Sequence, residues 1–216
     1  LRATYGTSYR APALFEQFVG ATSGFLSSGA DACNEYGADG VNPNRVANCA
    51  AEGLDPEYYA TTSVQVISEG GADLGLAAET STNLTIGAVF QPTLPSGWGN
   101  LDFAVDYYEI EVENGVAQYG ASAILDRCYD ANPADFSADT GFCALVSRDP
   151  SDNSLTVIDS YVNLATDIVK GLDYTLRYSN DVGPGSVLFN LGVTQYTEVS
   201  NKLFDEDPLE DYVGMI

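Results

Sequence analysis

LRATYGTSYRAPALFEQF, residues 1–18, decides how this chain reads. Arg2, Thr4, Gly6 and Ser8 fall on one face, and Leu1, Ala3, Tyr5, Thr7 and Tyr9 on the other. A period of two is the signature of a β-strand with two unlike faces. The alternation stops at Arg10. Pro12 has no ladder donor and ends strand pairing. The segment R-A-P-A-L-F-E, Arg10 to Glu16, therefore carries a strand into a loop.

Four further stretches repeat the pattern. In 80–91, Thr82, Leu84, Ile86, Ala88 and Phe90 oppose Ser81, Asn83, Thr85, Gly87 and Val89. In 101–112, Leu101, Phe103, Val105 and Tyr107 oppose Asp102, Ala104, Asp106 and Tyr108. The fourth stretch, about 156–180, is clearest where Leu172, Tyr174, Leu176 and Tyr178 oppose Asp173, Thr175, Arg177 and Ser179. The fifth, 186–198, sets Val187, Phe189, Leu191 and Val193 against Asn190, Gly192 and Thr194. A sixth is expected to begin after Tyr212. The fold class is thus all-β, an antiparallel up-and-down meander of about five to six strands.

The connections separate a barrel wall from a soluble sandwich, since both show alternation. Residues 92–100 and 180–186 are short turns rich in Gly and Pro, whereas 19–79 and 113–155 are very long. In a meander every second connection lies at the same end, so the short turns share one end and the long loops the other. Outer-membrane barrels have this asymmetry, with the long loops outside the cell. A connection of about 60 residues counts against a compact soluble domain. Within the loops, Val116 to Tyr129 has helical spacing at Ile124, Leu125 and Cys128, and Pro56 to Ile67 reads as a short helix or a strand.

Eight Lys and Arg stand against 31 Asp and Glu, a formal charge of −23. Such a chain is no partner for nucleic acid, which needs a basic surface. The acidity fits either a soluble surface or a negative vestibule that concentrates cations. No run of 18 apolar residues is present, so no helix is expected to span a membrane; barrel strands escape that test. Cys33 with Cys49 and Cys128 with Cys143 form two local pairs, each in a Gly- and Asp-rich stretch, and predict two loop-closing disulfides in an oxidising compartment. Zinc would need a better ligand set than four Cys without a C-x-x-C or any His. Leu1 reads as mid-strand, with no leader before it, and Tyr212 to Ile216 as the start of another element, so the expectation is a fragment.

Further motifs follow Arg10–Glu16. Glu79, Thr80, Ser81, Asn83 and Gly87 match an E-T-S-x-N-x-x-x-G segment, with Ala72-Asp73 replacing an upstream Asn-Pro and Ala78 a proline. Asp106 to Val112 is D-Y-Y-E-I-E-V, and Lys170, Gly171, Leu172 and Asp173 form a K-G-L-D strand. In this order and spacing they resemble the barrel domain of TonB-dependent outer-membrane receptors across most of residues 1–198.

That resemblance implies a segment of a barrel of about 22 strands, covering residues 1–216 here. It implies a bacterial outer-membrane location, with lipid around the barrel and the receptor's own plug domain inside it. It further implies energised uptake of a siderophore, cobalamin, carbohydrate or other small ligand, driven by the TonB complex through a TonB box. Neither plug nor TonB-contact segment is recognisable in this chain. A passive porin and a secreted acidic β-sandwich that binds a partner are the alternatives.

In the barrel picture the polar face turns inward. Asp102, Asp106, Asp173 and Arg177 are then candidates to face plug or lumen. Arg10 and Glu16 are candidates for plug contacts or an internal ion pair, unless they simply flank a Pro12 turn. The tyrosines at 5, 9, 107, 174 and 178 fit interfacial girdles or ordinary strand propensity equally well. No enzyme is expected: without His there is no Ser-His-Asp system. Asp102 and Asp106 would lie about 13 Å apart along a strand, beyond the spacing of a glycosidase pair. The acidic stretch 205–211 lacks the calcium-loop pattern, and no cofactor or metal is expected.

Overall fold

A computed structural model describes every residue except Leu203, Asp205, Glu206 and Ile216. In chain order the elements are β1 (Arg2–Arg10), α1 (Leu14–Phe18), β2 (Thr22–Leu26), α2 (Pro43–Ala51), β3 (Val64–Glu69), β4 (Glu79–Phe90), β5 (Asn100–Gln118), α3 (Ala121–Tyr129), β6 (Val146–Arg148), β7 (Leu155–Val182), β8 (Gly185–Lys202) and β9 (Glu210–Asp211). The chain divides into two compact units. The first comprises Leu1–Ala11, Ala77–Gly115 and Asn163–Ile216; the second comprises Pro12–Leu76 and Val116–Val162.

The first unit is an open antiparallel meander in the order β1, β4, β5, β7, β8, β9. Register follows the alternation. Tyr5 opposes Leu84, Ile86 opposes Tyr107 and Phe90 opposes Phe103, all on one face. Tyr174 opposes Val193, Leu176 opposes Leu191 and Tyr178 opposes Phe189. A one-residue slip would exchange the faces, so this pattern fixes the pairing. Much of the apolar face is bare: Tyr5, Phe90, Phe189 and Leu191 are among its exposed residues. An apolar surface of that extent on a folded sheet marks contact with a membrane or partner.

The strands run longer than the alternation alone indicated. Strand β5 continues to Gln118, and β7 covers 28 residues. The expected helix over Val116–Tyr129 is therefore corrected. Its first three residues close β5, and Gly120, with φ of 84°, turns the chain before α3 begins at Ala121. Of Pro56–Ile67 only Val64–Ile67 is strand. The last strand lies at Glu210–Asp211, slightly before the expected position. Of the acidic stretch 205–211, Asp205 and Glu206 lie outside the described residues.

The second unit gathers the two long connections around a core of their own. Tyr36, Val64, Ile124, Leu125, Tyr129 and Val157 are almost wholly buried there, together with Cys33 and Cys49. Cys33 bonds Cys49, and Cys128 bonds Cys143, with Cα separations of 5.6 and 4.7 Å. Each ring of about 16 residues stabilises the folded state by roughly 3 kcal/mol in the chain-entropy account. The unit also departs from a pure meander, because β3 runs parallel to the first residues of β7, Gln65 opposite Thr156 and Glu69 opposite Ser160. A long connection makes parallel pairing possible where a hairpin cannot.

Candidate functional site

The polar face of the meander carries five of the six candidates. Arg2 grips Asp106 through two bonds, Nε to Oδ1 at 3.0 Å and Nη2 to Oδ2 at 2.7 Å. Arg10 makes the same fork to Glu79, both bonds at 2.6 Å. Both are bidentate, the form that adds most geometric order; Arg10–Glu79 joins neighbouring strands, whereas Arg2 of β1 reaches Asp106 of β5 across Gly87 of the intervening β4. Asp102 accepts from the Gln91 amide at 2.8 Å, and Asp173 accepts from the Thr194 hydroxyl at 2.6 Å. Arg177 lies opposite Asn190 and, among the described residues, forms no ion pair. With Thr175, Asn190 and Gly192 it lines an open depression.

Glu16 belongs to the second unit and plays a local part. Its carboxylate accepts from the Ala13 backbone N–H at 2.6 Å, holding the first turn of α1. This is the backward half of a capping box.

On the apolar face the composition changes at one level. Lys170 Nζ lies 3.0 Å from Glu198 and 3.3 Å from Glu109. Glu111 and Glu113 continue the charged row along β5, opposite Thr82 and Thr80. From Lys170 to the turn-end Asn180, the β7 side chains on this face are Leu172, Tyr174, Leu176 and Tyr178. Ten residues of strand rise roughly 34 Å. Tilted by about 40°, that is roughly 26 Å of height, against an apolar band of about 25 Å in outer-membrane barrels.

The second unit is organised by Arg148, which reading the residues in order did not single out. Its guanidinium donates to Asp31 through both Nη atoms at 2.8 Å and to Glu52 through Nε at 2.7 Å. It also donates to the Asn153 carbonyl and the Tyr129 hydroxyl. All five N–H groups are used. The side chains of Arg148 and Asp31 are 5% and 2% exposed. Burial alone would lower the Arg148 pKa, but the hydrogen bonds to Asp31 and the charges of Asp31 and Glu52 outweigh it and hold the pKa above its ordinary value. Arg45 spans Asp126 and Asp130 at 2.7 Å each, and Asn48 donates to the Tyr129 and Ala131 carbonyls. Polar bonds thus tie the first connection to the second. The signal available in sequence was thin: a lone arginine five residues beyond Cys143 in a strongly acidic stretch.

Tyr129 yields an alkaline prediction. Burial, then the Glu52 charge, pushes its phenol well above the ordinary value near 10. The raised folded pKa means stability is full below the unfolded pKa and falls as pH rises above it. Denaturant titrations monitored by tyrosine fluorescence are expected to show the second unit losing stability above about pH 10. Tyr129→Phe should flatten that slope. An equally steep slope in the variant assigns the effect to other groups.

An open antiparallel meander with one apolar face, one polar face and connections of very unequal length is the architecture of an outer-membrane β-barrel wall. The chain belongs to the TonB dependent receptor-like β-barrel family, whose model matches residues 1–213. That family comprises receptors and transporters of the outer membrane and is not an enzyme family. No curated protein and no solved structure matches the chain. No helix among the described residues is long and apolar enough to cross a membrane, a criterion that says nothing of a β-barrel.

Proposed function

We propose that this chain supplies wall and ligand-side loops to a receptor that takes up a scarce ligand across the outer membrane, energised by the TonB complex through a plug. A siderophore, cobalamin or a carbohydrate is the ligand class. The observation that carries the reading is the apolar band on β7, bounded by the Lys170, Glu109 and Glu198 charges at a height that fits a bilayer. Charged side chains cost several kcal/mol at the bilayer midplane and little at its surface, so the band faces lipid and the charge row lies at its outer boundary. The polar face with Asp102, Asp106, Asp173 and Arg177 then turns toward plug and lumen. The 12–76 and 116–162 unit meets the ligand side, outside the cell.

Growth with iron, cobalamin or a single sugar as the limiting nutrient tests this. Deleting the receptor gene should slow growth on one of them, and inactivating the TonB complex should reproduce the defect. Receptor-dependent growth that persists without the TonB complex would contradict energised uptake.

A further inference from the structure

The second unit ends on one side in a strand edge that no described strand covers. Its sheet runs β2, β3, β7, β6, with β3 and β6 on opposite sides of β7. The β6 edge is only three residues long, and its Arg148 is drawn into the ion pairs described above. Strand β2 is longer, Thr22–Leu26, and among the described residues pairs with β3 alone. Along an antiparallel pair, successive residues turn their N–H and C=O groups alternately toward the partner and away from it. The groups turned away from β3 form a row of unpaired donors and acceptors. Folded proteins blunt such rows with charges, prolines or bulges. None of these devices is used on β2. From Gln17 to Ala30 no side chain is charged, in a chain that is 18% charged, and no proline lies between Pro12 and Pro43. The register from Thr22 opposite Ser68 to Leu26 opposite Val64 runs without a bulge.

The edge is held from behind. The Gly70 N–H donates to the Val19 carbonyl at 2.9 Å, and the Thr22 hydroxyl to the Ser68 carbonyl at 3.2 Å. Leu26, Val64 and Val66 share one face of the pair, and that face packs against the buried core. Ser23 and Phe25 turn to the other face, where Phe25 is 68% exposed. A Cβ on Gly24 would meet nothing within 4 Å, so the space beside the strand is open. A strand added to β2 would find its hydrogen-bonding groups already ordered and an aromatic ring beside them.

We propose that β2 binds an extended, cationic peptide segment as an added strand. The edge fixes the conformation of its occupant, because a row of strand N–H and C=O groups is matched along its length by another strand. Charge fixes the sign. The second unit carries sixteen Asp and Glu against three arginines. All three are engaged within it, Arg148 and Arg45 in ion pairs and Arg127 over the Phe142 ring at 5.6 Å. A second copy would bring the same negative charge to the contact, whereas a cationic segment is drawn in. An apolar side chain of the peptide then lies beside Phe25. The pairing stands on the edge alone; that the peptide arrives from outside the cell rests on the transport reading.

The test titrates the purified full chain, folded in bilayers of zwitterionic lipid, with a capped peptide of alternating threonine and valine that has a lysine at each end. A counterpart with every backbone nitrogen methylated keeps the side chains and the charge but cannot donate to a ladder. It should bind at least about tenfold more weakly. Glutamates in place of the lysines should weaken binding, and so should added salt with the lysine peptide. With that peptide bound, hydrogen exchange should slow at the β2 amides that point away from β3. Phe25→Lys, at an exposed side chain, should weaken binding about fivefold, and Phe25→Leu much less. Equal affinity of the methylated and unmethylated peptides, or binding that leaves exchange in Thr22–Leu26 unchanged, overturns the proposal. So does self-association of the peptide-free chain that Phe25→Lys abolishes, which would give the edge to a second copy. The titration is independent of the growth experiment, so either reading can fail alone.

Discussion

Arg148→Ala is expected to unfold the second unit while leaving the meander paired. The change leaves the buried Asp31 carboxylate without its partner, removes a bond from Glu52, and takes the cation from the Tyr58 and Tyr129 rings. Breaking one side of a buried ion pair costs about 3–5 kcal/mol. That is comparable to one of the two disulfides that staple the unit. Native-state hydrogen exchange should show protection lost over α2, α3 and β3, with β8 retained. A conservative partner separates charge from packing. Arg148→Met with Asp31→Leu removes both buried charges and should recover much of the loss. If Arg148→Ala keeps full protection in α2 and α3, Arg148 is not the tie between the two connections.

The second large effect is expected on the meander. Leu176 lies midway between Lys170 and Asn180 on the apolar face, opposite Leu191. Leu176→Arg should destabilise the chain folded in lipid by about 2–4 kcal/mol, the cost of an arginine at the midplane. Thr175→Lys, one residue away on the polar face, should change stability by less than about 1 kcal/mol. Reversible urea unfolding in bilayers reads both. Similar costs at the two positions would mean that neither face meets hydrocarbon.

Much of the first unit was legible because its physics is local. Alternation in Leu172–Tyr178 and Val187–Val193 states which side chains share a face, and two short turns leave only one way to pair β4 with β5 and β7 with β8. The motifs from Arg10 to Asp173 then placed those strands in a known family. Strand ends were less legible: β5 runs on through Glu111, Glu113 and Gln118, where charge interrupts the apolar pattern but not the ladder. The second unit was largely illegible, apart from the pairing of its cysteines and the helix ending at Tyr129, marked by the spacing of Ile124, Leu125 and Cys128. Arg148 meets Asp31 across 117 residues and Glu52 across 96. No period or spacing connects them; only the packing of both connections around Tyr129 and Leu125 does.

The central claim is that the alternating face of this meander meets lipid. Site-directed spin labels placed singly from Val187 to Thr194, in the chain folded into bilayers, test it most directly. Labels at 187, 189, 191 and 193 should collide with a lipid-soluble relaxant, and those at 188, 190, 192 and 194 should not. Uniform accessibility to a water-soluble relaxant at all eight positions, or the opposite phase, would contradict the account.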